Sequence, residues 1–229
     1  MSSDQHLPDD FDGTARLFPL PNLVLFPFVG QPLHIFEPRY RQLMQDALDT
    51  DRLMALALYR PGWEEDDSPR PALHPMVCLG RIAAEQQLPD GRWNLMLHGL
   101  TRARIVEEVV TDRLYRSAEV EIVEEVPAGD ASLELRTELA MRVLPFFEAQ
   151  PTARRQFGQL VASPLPLGTL CDVFGYALPL DVQDRQRLLD EPDVAVRVAL
   201  LLTLLEGATP LPAPPRPMTR RYPPTFSDN

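Results

Sequence analysis

Residues able to do covalent or metal chemistry are few in this chain and poorly grouped. Its two cysteines are Cys78 and Cys171, and its four histidines are His6, His34, His74 and His98. Cys78 with His74 or His98 is the only nucleophile and base pair that the spacing offers. Yet Cys78 stands in an apolar strand-like run, Val77-Cys78-Leu79, where a thiol is usually inert. The other histidines read as surface or hydrogen-bonded groups. The run Glu64-Glu65-Asp66-Asp67 lies among Pro61, Gly62, Pro69 and Pro71, so it reads as a solvated loop. A carboxylate metal site needs ligands converging from a fixed backbone, which such a loop lacks. Glu37, Arg39 and Arg41 are either a recognition cluster or a capping and ion-pair set at a helix start, and the second reading is the simpler.

Composition removes whole classes of function. All 22 basic residues are arginine, so a P-loop lysine, a Schiff base and a Ser–Lys dyad are excluded. The closest glycines, Gly168 and Gly175, are seven apart, which forbids the dinucleotide, P-loop and nucleophile-elbow signatures. The formal charge of −11 argues against nucleic acid and anionic membrane partners, which need clustered positive charge. No cofactor and no metal are expected. No apolar run reaches the ~18 residues of a membrane helix, and the acidic opening MSSDQHLPDDFD has no leader pattern. The expectation is a cytoplasmic protein with free thiols.

The elements that would position such groups start with Leu17–Leu48, the longest apolar segment. Pro19, Pro21, Pro27 and Pro32 break it into extended pieces, expected at Leu23–Phe26 and Leu33–Phe36. After Glu37 the apolar residues Tyr40, Leu43, Met44, Ala47 and Leu48 take helical spacing behind Pro38. Arg52–Tyr59 reads as a buried strand. Pro89-Asp90-Gly91 is a turn joining the arms Met76–Leu88 and Arg92–Leu100 into a hairpin. Strands at Thr101–Val110 and Tyr115–Val123 follow, with Gly99 a candidate bulge. From Ser132 the signal is helical. Pro145 should kink or divide the first helix, Asp181 should cap Val182–Leu189, and the last helix runs to Glu206, its Val194–Leu205 run broken by Arg197 and Thr203.

Two stretches carry a resemblance. Phe18-Pro19-Leu20-Pro21-Asn22-Leu23-Val24-Leu25-Phe26-Pro27, followed by Pro32-Leu33-His34-Ile35-Phe36-Glu37-Pro38-Arg39-Tyr40-Arg41, resembles the opening of the Lon protease N-terminal substrate-binding domain. Leu97-His98-Gly99-Leu100-Thr101-Arg102-Ala103-Arg104-Ile105 is similar to that family's G-x-x-R-x-R-I stretch. The run Ile35 to Tyr40 looks most like stand-alone members without ATPase and protease domains. The resemblance implies an α+β fold: a PUA-like β-barrel over 14–126, then an α-helical bundle over 127–207. A disordered N-terminus (1–13) and a proline-rich disordered tail (208–229) would flank them. It implies no catalysis and a ligand class of unfolded or exposed protein segments, in keeping with protein quality control. The turn bearing Phe26, Phe28 and Val29 carries aromatics and few polar groups, which makes these residues the candidate protein-contact patch. The alternative is a small-molecule enzyme using a barrel–bundle cleft with a site at Cys78.

Overall fold

The structure is a computed structural model that describes residues 7–206. The proline-rich tail and the first six residues lie outside them. The strands are β1 (Thr14–Leu20), β2 (Gly30–Ile35), β3 (Leu53–Leu58), β4 (Met76–Gln87), β5 (Trp93–Val109) and β6 (Arg116–Val123). Helix α1 (Pro38–Leu48) separates β2 from β3, and α2 (Ser132–Val143), α3 (Pro151–Ala162), α4 (Leu167–Ala177), α5 (Val182–Asp190) and α6 (Val194–Glu206) follow the strands. The fold is therefore α+β.

The sheet closes on itself. β5 pairs with β4, β4 with β3, β3 with β1, β1 with β6, and β6 returns to β5, while β2 extends the sheet beyond β5. Only β1 and β3 run parallel, and the crossover this demands is supplied by β2 and α1. A ring of so few strands leaves little internal room, which small side chains suit. Ala15, Ala55, Ala57, Ala103 and Ala118 accordingly share the interior with Leu17, Val77, Leu79 and Val120. β3 is buried on both faces, so it reads LMALAL without alternation. Ala55 and Ala57 face the interior, and Met54, Leu56 and Leu58 join the outer core.

That outer core is one cluster shared by barrel and helices. It holds Leu25, Phe26, Cys78 and Leu97 together with Leu170, Phe174, Val198 and Leu201. Backbone and side-chain bonds reinforce it: Val194 N donates to Val126 O at 2.9 Å, and buried Gln186 Nε2 donates to Met76 O at 2.9 Å.

The helix behind Pro38, the strand after Arg52 and the hairpin at Pro89-Asp90-Gly91 form as expected, with Gly91 at φ +78°. Pro145 does end a helix, because Leu144–Phe147 tightens into a 3-10 turn. Asp181 caps α5, its side chain accepting from Asp184 N at 2.7 Å.

Three expectations need correction. Leu23–Phe26 is a buried loop, and the first strand is Thr14–Leu20 with Pro19 inside it. Pairing of β1 with β6 stops at Leu17, so the missing donor of Pro19 removes no ladder bond on that side. The segments read as strands on either side of Gly99 form one strand, β5, whose pairing with β4 shifts between Leu79 and Gly80 and leaves Leu100 as an extra residue. Finally, Leu7 and Phe11 in the stretch read as a disordered N-terminus pack against the barrel interior.

Candidate functional site

The turn Phe26-Pro27-Phe28-Val29 is stitched to the β5 bulge. Phe28 N donates to Gly99 O at 2.8 Å, and Gly99 N donates to Val29 O at 2.9 Å. The three patch residues separate on this frame. Phe26 is completely buried, and its ring reaches α4, where a Cβ at Gly175 would stand 3.6 Å from Cζ. Val29 is buried as well. Phe28 alone is exposed, at 46%. Its φ of +64° lies in the left-handed region that bulky L-residues rarely occupy. Such strain persists where surrounding structure imposes it, and it clusters at functional positions.

Phe28 borders a cleft of about 220 Å³ lined by Pro27, Leu100, Arg102, Ile122, Glu124 and Glu125, among others. Ile122 leaves 40% of its surface in solvent. A second cleft of about 310 Å³ uses the other side of Glu125, with Pro127, Pro166 and Leu167 on its walls.

Beneath both lies a buried charge network that the sequence reading missed. Arg102 Nη1 and Nη2 donate to the two carboxylate oxygens of Asp172 at 2.9 and 2.6 Å, and Nη1 also donates to Glu125 Oε1 at 3.0 Å. Arg197 donates to the same Glu125 oxygen and to Glu191 O, with Nε 3.4 Å from Asp172. Burial opposes the charge on Arg102, but the Asp172 carboxylate overrides it, so the arginine's pKa moves upward. The group is neutral as a whole, which is how buried charge is tolerated. Arg102 and Glu125 belong to the barrel, Asp172 and Arg197 to the bundle. A signal was present: Asp172 interrupts the apolar α4 and Arg197 the apolar α6, and a charge inside a buried face requires a partner.

The remaining candidates do not converge on one place. His34 Nδ1 meets Asn94 Oδ1 at 2.7 Å on the surface. Glu37 pairs with Arg39 at 2.9 Å and makes no side-chain cap. Glu64–Asp67 is an exposed loop, and among the described residues no cluster of three His, Cys, Asp or Glu could hold a metal. Cys78 and Cys171 are free and buried. Burial pushes both thiols up, Cys171 to about 12, the reverse of what a nucleophile needs. Both are expected to react with a thiol reagent on the order of a hundredfold more slowly in native protein than in urea. Rapid native labelling of Cys78 would restore the cysteine-site reading.

The chain is thus a closed barrel bonded to a helical bundle, with its thiols buried and one aromatic turn at a shallow cleft. A model of the family described as "ATP-dependent protease La (LON) substrate-binding domain" matches residues 14–207, and the chain belongs to that family. It is 26% identical over 203 residues to Lon protease 2 of Myxococcus xanthus, covering 86% of this chain and 24% of that protein. It is 27% identical to Lon protease 2 of Herpetosiphon aurantiacus, covering 90% and 26% respectively. The chain thus spans about a quarter of the length of these relatives. A crystal structure of a Lon N-terminal domain protein from Xanthomonas campestris superposes with TM-score 0.59 at 25% identity, covering 83% of this chain and 97% of that one. The N-terminal domain of a Mycobacterium avium complex Lon protease gives TM-score 0.67 at 18% identity, over 86% and 100% of the two chains, and supports the fold alone. Among the described residues, no helix is long and apolar enough to cross a membrane.

Proposed function

We propose that this chain is a non-enzymatic, cytoplasmic module that holds unfolded or exposed segments of other proteins at the Phe28 cleft, in the service of protein quality control. Its working parts are a barrel (14–126) and a bundle (127–207). The observation that carries the reading is Phe28 itself, a half-exposed aromatic held in left-handed backbone at the rim of an apolar cleft. Aromatic anchors supply a large share of binding energy at protein interfaces. The family supports a protein ligand, and the acidic charge of −11 speaks against RNA. The buried, proton-retaining Cys78 supports no hydrolase.

The test uses fluorescent reduced and carboxamidomethylated lysozyme, an unfolded basic polypeptide, titrated with the protein and followed by anisotropy. Phe28→Ser is expected to weaken capture about tenfold or more while changing stability by less than ~1 kcal/mol. Phe28→Gly supplies the residue that the positive φ favours, so it should be at least as stable yet equally poor at capture. Wild-type affinity in both variants removes Phe28 from the recognition surface.

A further inference from the structure

The Phe28 cleft and the C-terminal residues of the chain carry opposite charge. Its rim carries a free acid: Glu124 is exposed and enters no ion pair among the described residues. Glu125 is already spent on Arg102 and Arg197. In a chain of net charge −11, residues 207–229 run the other way, with Arg216, Arg220 and Arg221 against Asp228 alone. They also carry two aromatics, Tyr222 and Phe226, beside Pro223 and Pro224. An apolar cleft with a free carboxylate is complementary to an Arg-Arg-Tyr-Pro-Pro segment. Arginine is the chemical complement of a carboxylate, and an aromatic ring with prolines is the complement of apolar surface such as Phe28 and Ile122.

Reach permits it. The first residue of α6, Val194, bonds to Val126, the neighbour of the cleft residue Glu125. The helix of 13 residues then carries the chain roughly 20 Å away at ~1.5 Å per residue. The stretch from Glu206 to Arg220 is rich in proline and, at ~3.1 Å per residue, could span roughly 40 Å, twice what the return needs. A proline-rich segment also loses little freedom on being held extended.

We propose that residues 216–229 occupy the Phe28 cleft in cis, with Arg220 and Arg221 facing Glu124 and Tyr222 against Phe28, so that the tail competes with the segments the cleft takes. This rests on the reading that the cleft binds polypeptide. A tethered segment acts at an effective concentration on the order of 1 mM, so a trans affinity near ~100 μM suppresses capture by roughly tenfold.

The full-length chain is compared with its Arg220→Glu/Arg221→Glu variant in the lysozyme titration, and a labelled synthetic peptide of residues 216–229 is titrated into that variant. The variant should capture lysozyme about tenfold more tightly than wild type. The peptide should bind it saturably, lose that binding when Phe28→Ser is added, and weaken with rising salt. If lysozyme capture depends on Phe28 but ignores the tail substitutions, and the peptide does not bind, the tail inference is overturned and the cleft reading stands. If the peptide binds at Phe28 while lysozyme does not, the tail inference is supported and the reading of the cleft as a general capture site fails. A concentration-dependent dimer of wild type that the tail substitutions abolish would overturn cis occupancy, because the tail would then sit on a second copy.

Discussion

Gly99→Ala is expected to cost about 3 kcal/mol or more and to abolish polypeptide capture, although it adds a single methyl group. A Cβ at Gly99 would overlap the carbonyl oxygen of Phe26, stand 2.9 Å from its carbonyl carbon and 3.1 Å from Cys78 Sγ. The first obstacle is backbone and cannot rotate away. The turn would have to lift off β5, breaking the bonds from Phe28 N to Gly99 O and from Gly99 N to Val29 O. Phe26 would leave its seat against α4 at the same time. Gly80→Ala is the internal comparison, since its Cβ would meet the side chain of Leu97 at 2.9 and 3.0 Å, which has some freedom to move, and backbone only at the carbonyl oxygen of His98, 3.1 Å away, where the overlap is far smaller than at Gly99. Urea denaturation should rank Gly99→Ala well below Gly80→Ala. A Gly99→Ala protein within ~1 kcal/mol of wild type would show that the turn is not anchored through this contact.

That single close approach also shows what can be read from the sequence and what cannot. Local patterns declared themselves: Pro38 starting a helix, Pro145 ending one, Gly91 in a turn and Asp181 as a cap are each decided within a few residues. Pro19 misled, because a proline is forbidden only where its missing donor would have met a neighbouring strand, and pairing is a non-local fact. The Phe26–Val29 turn was legible as an aromatic surface loop, but not which ring turns inward. That choice depends on Gly99 admitting the Phe26 backbone and on Gly175 admitting its ring, 73 and 149 positions along the chain from Phe26. The charge network was the clearest omission. In the sequence Arg197 reads only as a break in the apolar run Val194–Leu205, whereas burial makes such a break a demand for a partner.

Asp172→Ala is the second large effect expected, about 3–5 kcal/mol, because it strands two buried guanidinium groups. Arg102 would lose both bonds of its bidentate pair and keep Leu189 O and one bond to Glu125. Arg197 would share that same Glu125 oxygen, on a side chain 34% exposed, so two positive charges would compete for one partly solvated carboxylate. The loss should be nearly independent of salt, since the removed pair is shielded from solvent. The cost of breaking such a group differs from its net worth, and a second variant separates the two. Arg102→Met with Asp172→Leu removes one charge of each sign and leaves Arg197 paired with Glu125 and Glu191 O. It should recover most of the stability lost in Asp172→Ala, with a coupling well above ~1 kcal/mol in a double-mutant cycle. What the apolar pair should not recover is the fixed seating of bundle on barrel, since a hydrophobic contact lacks the directional bonds that tie α4 to β5. Amide exchange in α4 and α6 should therefore run faster in the double variant than in wild type while exchange in β3 and β4 is unchanged. Equal protection throughout, or an Asp172→Ala cost under ~1 kcal/mol, would mean that apolar packing alone aligns the two halves.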